Sequence, residues 1–216
     1  MNPRVLFLPG ASGAATFWQP VADLLPETWE QELLGWPGLG SESPEPHVNG
    51  FEDVVRLVID RIERKDAGGT ASIRTGVPVD LVAQSMGGVV AVQVALRRPD
   101  LVRRLVLVAT SGGIDLAPFG ALDWRQNYRR AFPAAAAWIS ELRIDVGDRL
   151  PTIAAPTLLI WGDADPISPQ AVGEHLAGML PDARLLVVAG GDHMLAYDRA
   201  AEIAPAIRDH LAHSGA

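Results

Sequence analysis

Three residues of this 216-residue chain have the types and order that hydrolytic chemistry needs: Ser85, Asp165 and His193. A serine hydroxyl is a weak nucleophile near neutral pH. It needs a base to take its proton and a carboxylate to hold that base in one tautomer. Ser85 lies in Leu81-Val82-Ala83-Gln84-Ser85-Met86-Gly87-Gly88-Val89-Val90. The apolar run Val79 to Val82 leads in, and the helix-compatible run Val89 to Arg97 leads out. A serine on a tight turn between strand and helix presents its hydroxyl at the sheet edge, where the helix N-terminus offers N–H groups to an anion. Of the five histidines, His193 follows a strand-forming run, after the turn Ala189-Gly190-Gly191-Asp192. His47 lies in a proline-rich loop and His175 inside a helical stretch. His210 and His213 have metal-compatible i, i+3 spacing, but no carboxylate pattern goes with them, and they read as surface residues. For the acid, Trp161-Gly162-Asp163-Ala164-Asp165-Pro166-Ile167-Ser168-Pro169 holds two aspartates. Asp165 is favoured because it lies further into the loop, before a stretch stiffened by Pro166 and Pro169. Asp163 can instead cap the turn, Asp115 is an alternative, and Asp192 adjoins His193 too closely in sequence to face it. All four also suit the simpler role of turn formers. An imidazole base works in its neutral form, so activity is expected to fall at acidic pH.

The developing oxyanion needs two N–H donors. Met86, the residue after the serine, is one candidate, and Ala11, after the first strand, is the other. Both act through the backbone, so neither side chain is constrained.

These residues need a scaffold that brings distant loops together. Val5-Leu6-Phe7-Leu8, Trp29 to Leu34, Val79 to Val82, Leu105 to Val108, Thr157 to Trp161 and Leu185 to Val188 are short strand-forming runs. Helical patterns lie between them: Thr16 (as cap) to Leu25, Phe51 to Glu63, Met86 to Arg97, Pro169 to Leu180 and Asp198 to Leu211. Asp66 to Gly76 reads as a polar linker. Alternating strands and helices predict an α/β fold, a mainly parallel sheet covered on both faces. In such sheets the site forms beyond the carboxyl ends of the strands, where Gly10-Ala11, Ser85, Asp165 and His193 all fall.

Composition narrows the classes. With 48% hydrophobic residues, the chain can build one sizeable core, and a single domain over 1–216 is expected. A net charge of −8 argues against sequence-independent binding to nucleic acid or an anionic membrane. The absence of cysteine removes a thiol nucleophile, disulfides and cysteine-held metals. The only lysine, Lys65, lies in a polar stretch and suits Schiff-base chemistry poorly. Only a five-residue apolar run follows the N-terminal Met-Asn-Pro-Arg, too short for a signal peptide or a span, so a cytoplasmic protein is expected. The sequence sets no oligomeric state.

Taken together, these motifs resemble those of the α/β-hydrolase superfamily over nearly the whole chain. Ala83-Gln84-Ser85-Met86-Gly87 resembles its nucleophile elbow, with Ala83 in place of the first glycine. Asp163 to Pro169 resembles the acid loop, whose second aspartate is the triad member, and Gly191-Asp192-His193 resembles the histidine loop. Gly10 followed by Trp18 resembles the oxyanion loop, with Pro9-Gly10 where His-Gly is common. Pro37-Gly38-Leu39-Gly40-Ser41 resembles the glycine loop, with Gly35 and Leu39 replacing its usual Asp and His. The resemblance is nearest to the small esterase and C–C hydrolase branch that includes pimeloyl-carrier-protein methyl ester esterases. It implies about six core strands without the family's N-terminal hairpin. It also implies a short helical lid at about 111–150 that selects the substrate.

Within that lid, Leu122 to Phe132 and Ala134 to Leu142 read as two or three short helices. Phe119, Leu122, Trp124, Tyr128, Phe132, Trp138 and Ile139 are candidates to line an acyl pocket, half of them equally suited to packing the lid. Trp18, Phe119, Leu122, Trp124 and Tyr128 are taken as substrate-binding residues. Arg125, Arg129, Arg130 and Arg143 suit either a solvated face or recognition of a carboxylate or phosphate-bearing carrier. The expected reaction is hydrolysis of a small-molecule carboxylic ester or thioester through an acyl-enzyme, with no cofactor or metal. C–C hydrolysis, lactone opening and perhydrolysis use the same triad. A non-catalytic binding protein on this fold is the remaining class.

Overall fold

The computed structural model describes residues 2–40, 42–63 and 77–213. Lys65, the linker expected at 66–76 and Ser41 of the glycine-containing loop lie outside them. The elements run β1 (Arg4–Leu8), α1 (Gln19–Ala22), β2 (Glu30–Leu33), α2 (Phe51–Glu63), β3 (Val79–Gln84), α3 (Met86–Arg97) and β4 (Val102–Val108). After β4 come α4 (Arg125–Ala131), α5 (Trp138–Glu141), β5 (Thr157–Gly162), α6 (Gln170–Met179), β6 (Ala183–Val188), α7 (Leu195–Asp198) and α8 (Ala200–Ala212).

Among the described residues there is one six-stranded sheet, ordered β2-β1-β3-β4-β5-β6, and every pairing is parallel. The apolar runs become strands because both of their faces are buried, and side chains alternate between two cores. Leu6 and Leu8 of β1, with Leu105 and Leu107 of β4, pack on the side of α2, α3 and α6. Val5 and Phe7, with Val106 and Val108, pack against Val21 of α1 and Ile203, Ile207 and Leu211 of α8. β2 is an edge strand, which explains how Glu30-Gln31-Glu32 is tolerated there, partly exposed.

Because the strands are parallel, all their carboxyl ends reach one edge. The loops after β1, β3, β4, β5 and β6 meet there. Among the described residues no helix is long and apolar enough to cross a membrane.

The structure corrects three expectations. Thr16 does not cap a helix running to Leu25; a 3₁₀ turn at Ala15–Trp18 leads into the four-residue α1. The two or three short helices expected over 122–132 and 134–142 contract to α4 and α5. His210 is not a surface residue: it is buried, and its Nε2 lies 3.0 Å from the Leu105 carbonyl. Burial, with Arg104 and Arg184 adding to it, pushes its pKa down to about 4. His213 is exposed, as expected.

Candidate active site

Ser85 sits between β3 and α3 with φ 52° and ψ −120°. Side chains other than glycine rarely adopt this backbone, and it is held from several directions. The Ser85 N–H donates to the Val108 carbonyl at 3.0 Å, and the Thr110 hydroxyl donates to the Ser85 carbonyl at 2.6 Å. Gly87 lets α3 start this close to β1: a Cβ there would lie 2.5 Å from both the Leu8 and Pro9 carbonyl oxygens. Local packing thus fixes the turn and leaves the hydroxyl at the sheet edge.

His193 arrives on the loop after β6, with Nε2 3.1 Å from Ser85 Oγ. Its Nδ1 lies 2.8 Å from Asp165 Oδ2. The Asp165 side chain is fully buried, and its Oδ1 accepts the N–H groups of Ile167 at 2.8 Å and Ser168 at 3.1 Å. Three hydrogen-bonding groups thus converge on this one buried carboxylate. Glycine also brings the two loops together: a Cβ on Gly162 would collide with the Gly191 backbone.

The other aspartates do turn work. Asp163 accepts the Gly190 N–H at 2.6 Å, Asp192 accepts that of Met194 at 2.8 Å, and Asp115 accepts that of Ala117 at 3.1 Å. Only Asp165, of the four, meets the imidazole.

Ala11 and Met86 both line the cavity beside Ser85. Among the described residues neither backbone N–H has an acceptor. Two free N–H groups, a serine hydroxyl, an imidazole and a buried carboxylate at one sheet edge can move a proton and hold a developing anion.

The cavity has a volume of about 1080 Å³ and extends from Ser85 and His193 under α4 and α5. Leu122, Trp124 and Tyr128 line it, as do Phe132 and Ile139. Trp18 and Phe119 are placed elsewhere. Trp18 is fully buried in the core, its indole N–H on the Leu8 carbonyl at 3.0 Å, and its neighbour Phe17 lines the cavity instead. Phe119 packs against His175, ring centroids 5.1 Å apart. Arg125 and Arg143 reach the cavity wall, but Arg125 is paired with Asp123 at 3.1 Å, and Arg143 donates to the Leu142 carbonyl at 2.9 Å. Arg129 donates to Ser140 Oγ and Arg130 to Asn127 Oδ1.

Sequence reasoning missed several supporting side chains. Gln84 is buried and donates its Nε2 to the His193 carbonyl at 3.1 Å, tying the serine turn to the histidine loop. Ser168 Oγ donates to the Thr110 carbonyl at 3.2 Å, and the Trp161 indole N–H donates to the Ser168 carbonyl at 3.0 Å. The available signal was a polar side chain at the end of a fully buried strand, as Gln84 is.

A model described as the alpha/beta hydrolase family matches residues 5–143, and a second, described as alpha/beta hydrolase fold, matches 116–200. The chain is 27% identical to the polyketide synthase ThaQ of Burkholderia thailandensis over 95% of its own length, yet it spans only 12% of that protein. It is 26% identical to a pimeloyl-[acyl-carrier protein] methyl ester esterase of Neisseria meningitidis, covering 87% of this chain and 84% of that one. The structure of a thermophilic esterase from Thermogutta terrifontis superposes with a TM-score of 0.74 at 21% identity, covering 97% of this chain and 89% of that chain.

Proposed function

The chain belongs to the alpha/beta hydrolase family, and from that premise we propose that it cleaves carboxylic esters or thioesters through an acyl-enzyme on Ser85. One observation carries the reading: the hydrogen-bonded line from Ser85 Oγ through the His193 ring to the buried Asp165, on the wall of a large cavity.

In this reading Ser85 Oγ attacks the carbonyl carbon while His193 Nε2 takes its proton. The carbonyl oxygen becomes an oxyanion and accepts the N–H groups of Ala11 and Met86. The carbon–oxygen or carbon–sulfur bond then breaks, and His193 returns the proton to the leaving group. Water repeats the cycle, attacking the acyl-enzyme and freeing the acid. Asp165 holds Nδ1 protonated and stabilises the imidazolium. The mainly apolar lining contributed by Leu122, Trp124, Tyr128, Phe132 and Ile139 suits an acyl group larger than acetyl. Residues 111–150 then act as the lid.

A fluorophosphonate probe followed by peptide mass mapping tests the reading. The expected adduct is on Ser85, with none in Ser85→Ala. A folded protein left unmodified at Ser85 refutes it. A panel of p-nitrophenyl esters and matched thioesters of graded chain length then sets the bond type and acyl length.

A further inference from the structure

Two side chains hold the Ala11 backbone from opposite sides. From the core, the fully buried Trp36 donates its indole N–H to the carbonyls of Pro9 at 3.0 Å and Gly10 at 3.1 Å. From the cavity side, Tyr128 on α4 donates its hydroxyl to the Ala11 carbonyl at 2.7 Å. Residues 11 and 128 are far apart in the chain and belong to different loops at the sheet edge.

Peptide geometry converts these bonds into aim. The Gly10 carbonyl and the Ala11 N–H share one planar trans unit and point in opposite directions. Anchoring that carbonyl on Trp36, whose N–H is shared with the Pro9 carbonyl, and on the Gly13 N–H at 3.1 Å holds one end of that unit. The Ala11 carbonyl belongs to the next unit, which Tyr128 fixes. With both planes held, the two soft dihedrals of Ala11 are set.

We propose that Trp36 and Tyr128 form a two-sided clamp that aims the Ala11 amide at the reacting carbonyl, and that Tyr128 makes this aim depend on where α4 sits. The proposal rests on the reading of Ala11 as an oxyanion donor. It makes Tyr128 a positioning residue as well as a wall of the cavity. The ring is braced for this work, 5.5 Å and edge-on to Trp124 and 5.0 Å from Phe132. Burial pushes its phenol up to about 12, so the donor stays protonated at working pH. α4 has seven residues and none of them is fully buried; besides the Tyr128 bond, Arg129 donates to Ser140 Oγ at 3.3 Å, so few polar bonds hold it to the rest of the chain. An open α4 would leave the second peptide plane free and the amide poorly aimed.

The test is Tyr128→Phe, assayed with p-nitrophenyl acetate, whose two-carbon acyl group makes little demand on the cavity. The expected result is a fall of about tenfold in kcat with KM unchanged within twofold, less than the roughly 100- to 1,000-fold loss when a donor is removed outright. A trifluoromethyl ketone, which adds to Ser85 and places an oxyanion in the same position, should lose affinity by the same factor. The unreactive methyl ketone should not. Trp36→Phe should show the same pattern, read alongside its melting temperature. Unchanged kcat and inhibitor affinity in Tyr128→Phe overturn the clamp, as does a change confined to KM, which would leave Tyr128 a wall residue only. A wild-type enzyme that neither hydrolyses the ester nor labels at Ser85 fails earlier. That result refutes the Ser85 reading and the clamp with it.

Discussion

Replacing Ser85 with glycine should make the protein more stable than replacing it with alanine, although both remove the hydroxyl. The serine backbone has φ 52° and ψ −120°, a region where a Cβ is poorly tolerated. Such residues typically cost about 1–3 kcal/mol each. Ser85→Ala keeps the Cβ and with it the strain. Ser85→Gly removes both, but glycine gives the unfolded chain extra freedom worth about 0.5–1 kcal/mol. The net gain of glycine over alanine is therefore about 0–2.5 kcal/mol. For a chain of 216 residues, at about 2–4 °C per kcal/mol, this is a rise of up to about 10 °C in melting temperature. Urea unfolding of both variants, with equal m-values as a control, converts midpoints to free energies. Both variants should be inactive and unlabelled by fluorophosphonate. If Ser85→Gly melts below Ser85→Ala, the turn is unstrained, and its hydroxyl is not held out at the cost of backbone energy.

Other substitutions separate the remaining parts. Asp165→Asn keeps an acceptor for the Ile167 and Ser168 N–H groups but loses the charge facing His193 Nδ1; kcat should fall about 1,000- to 10,000-fold with little change in melting temperature. Gly87→Ala drives a methyl group into the Leu8 and Pro9 carbonyls; circular-dichroism melts should show a loss of about 1–3 kcal/mol, and kcat should fall because the Ala11 loop moves. His210 and Asp80 make opposite contributions to acid stability. The folded pKa of His210 is lowered to about 4 by burial, so its contribution is complete above about 6.5 and is lost as pH falls toward 4. Asp80 is pushed up to about 6 by burial despite Arg103, so its contribution is present below about 3.8 and is lost as pH rises through 6. Between pH 6.5 and 4, His210→Gln should therefore gain stability relative to wild type and Asp80→Asn should lose it. Melting curves at half-unit pH steps check both signs.

What could be read from the sequence follows from how each part is stabilised. The six strands were legible because a parallel strand buried on both faces must be a short apolar run, as Val79 to Val82 and Thr157 to Trp161 are. The edge strand β2 was the weakest of these signals, since one side is open and Glu30 and Glu32 are allowed. Loop position alone prefers Asp165 over Asp163; the structure sets Asp165 Oδ2 2.8 Å from His193 Nδ1, while Asp163 Oδ1 accepts the Gly190 N–H. His210 was misread because it was judged by its spacing to His213. It falls three residues after Ile207 and seven after Ile203, on the stripe that α8 buries, and that periodicity was available.

Residues 111–150 were the least legible, and for a different reason. Helices as short as α4 and α5 gain little from intrinsic propensity and are placed by contacts that lie far away in sequence. The contacts found there are of that kind: the Leu122 N–H on the Pro166 carbonyl at 2.7 Å, and the Tyr128 hydroxyl on the Ala11 carbonyl at 2.7 Å. Neither leaves a local pattern, so no reading of the segment by itself could have drawn its boundaries. Trp18 and Phe119 were misplaced for the same reason. An aromatic residue near a candidate site is as well used under the loop as inside the cavity, and only its packing decides which: Trp18 against Phe7 and Phe17, Phe119 against His175. Chemistry written into strand ends is therefore readable one loop at a time, whereas substrate choice depends on how one loop rests upon another.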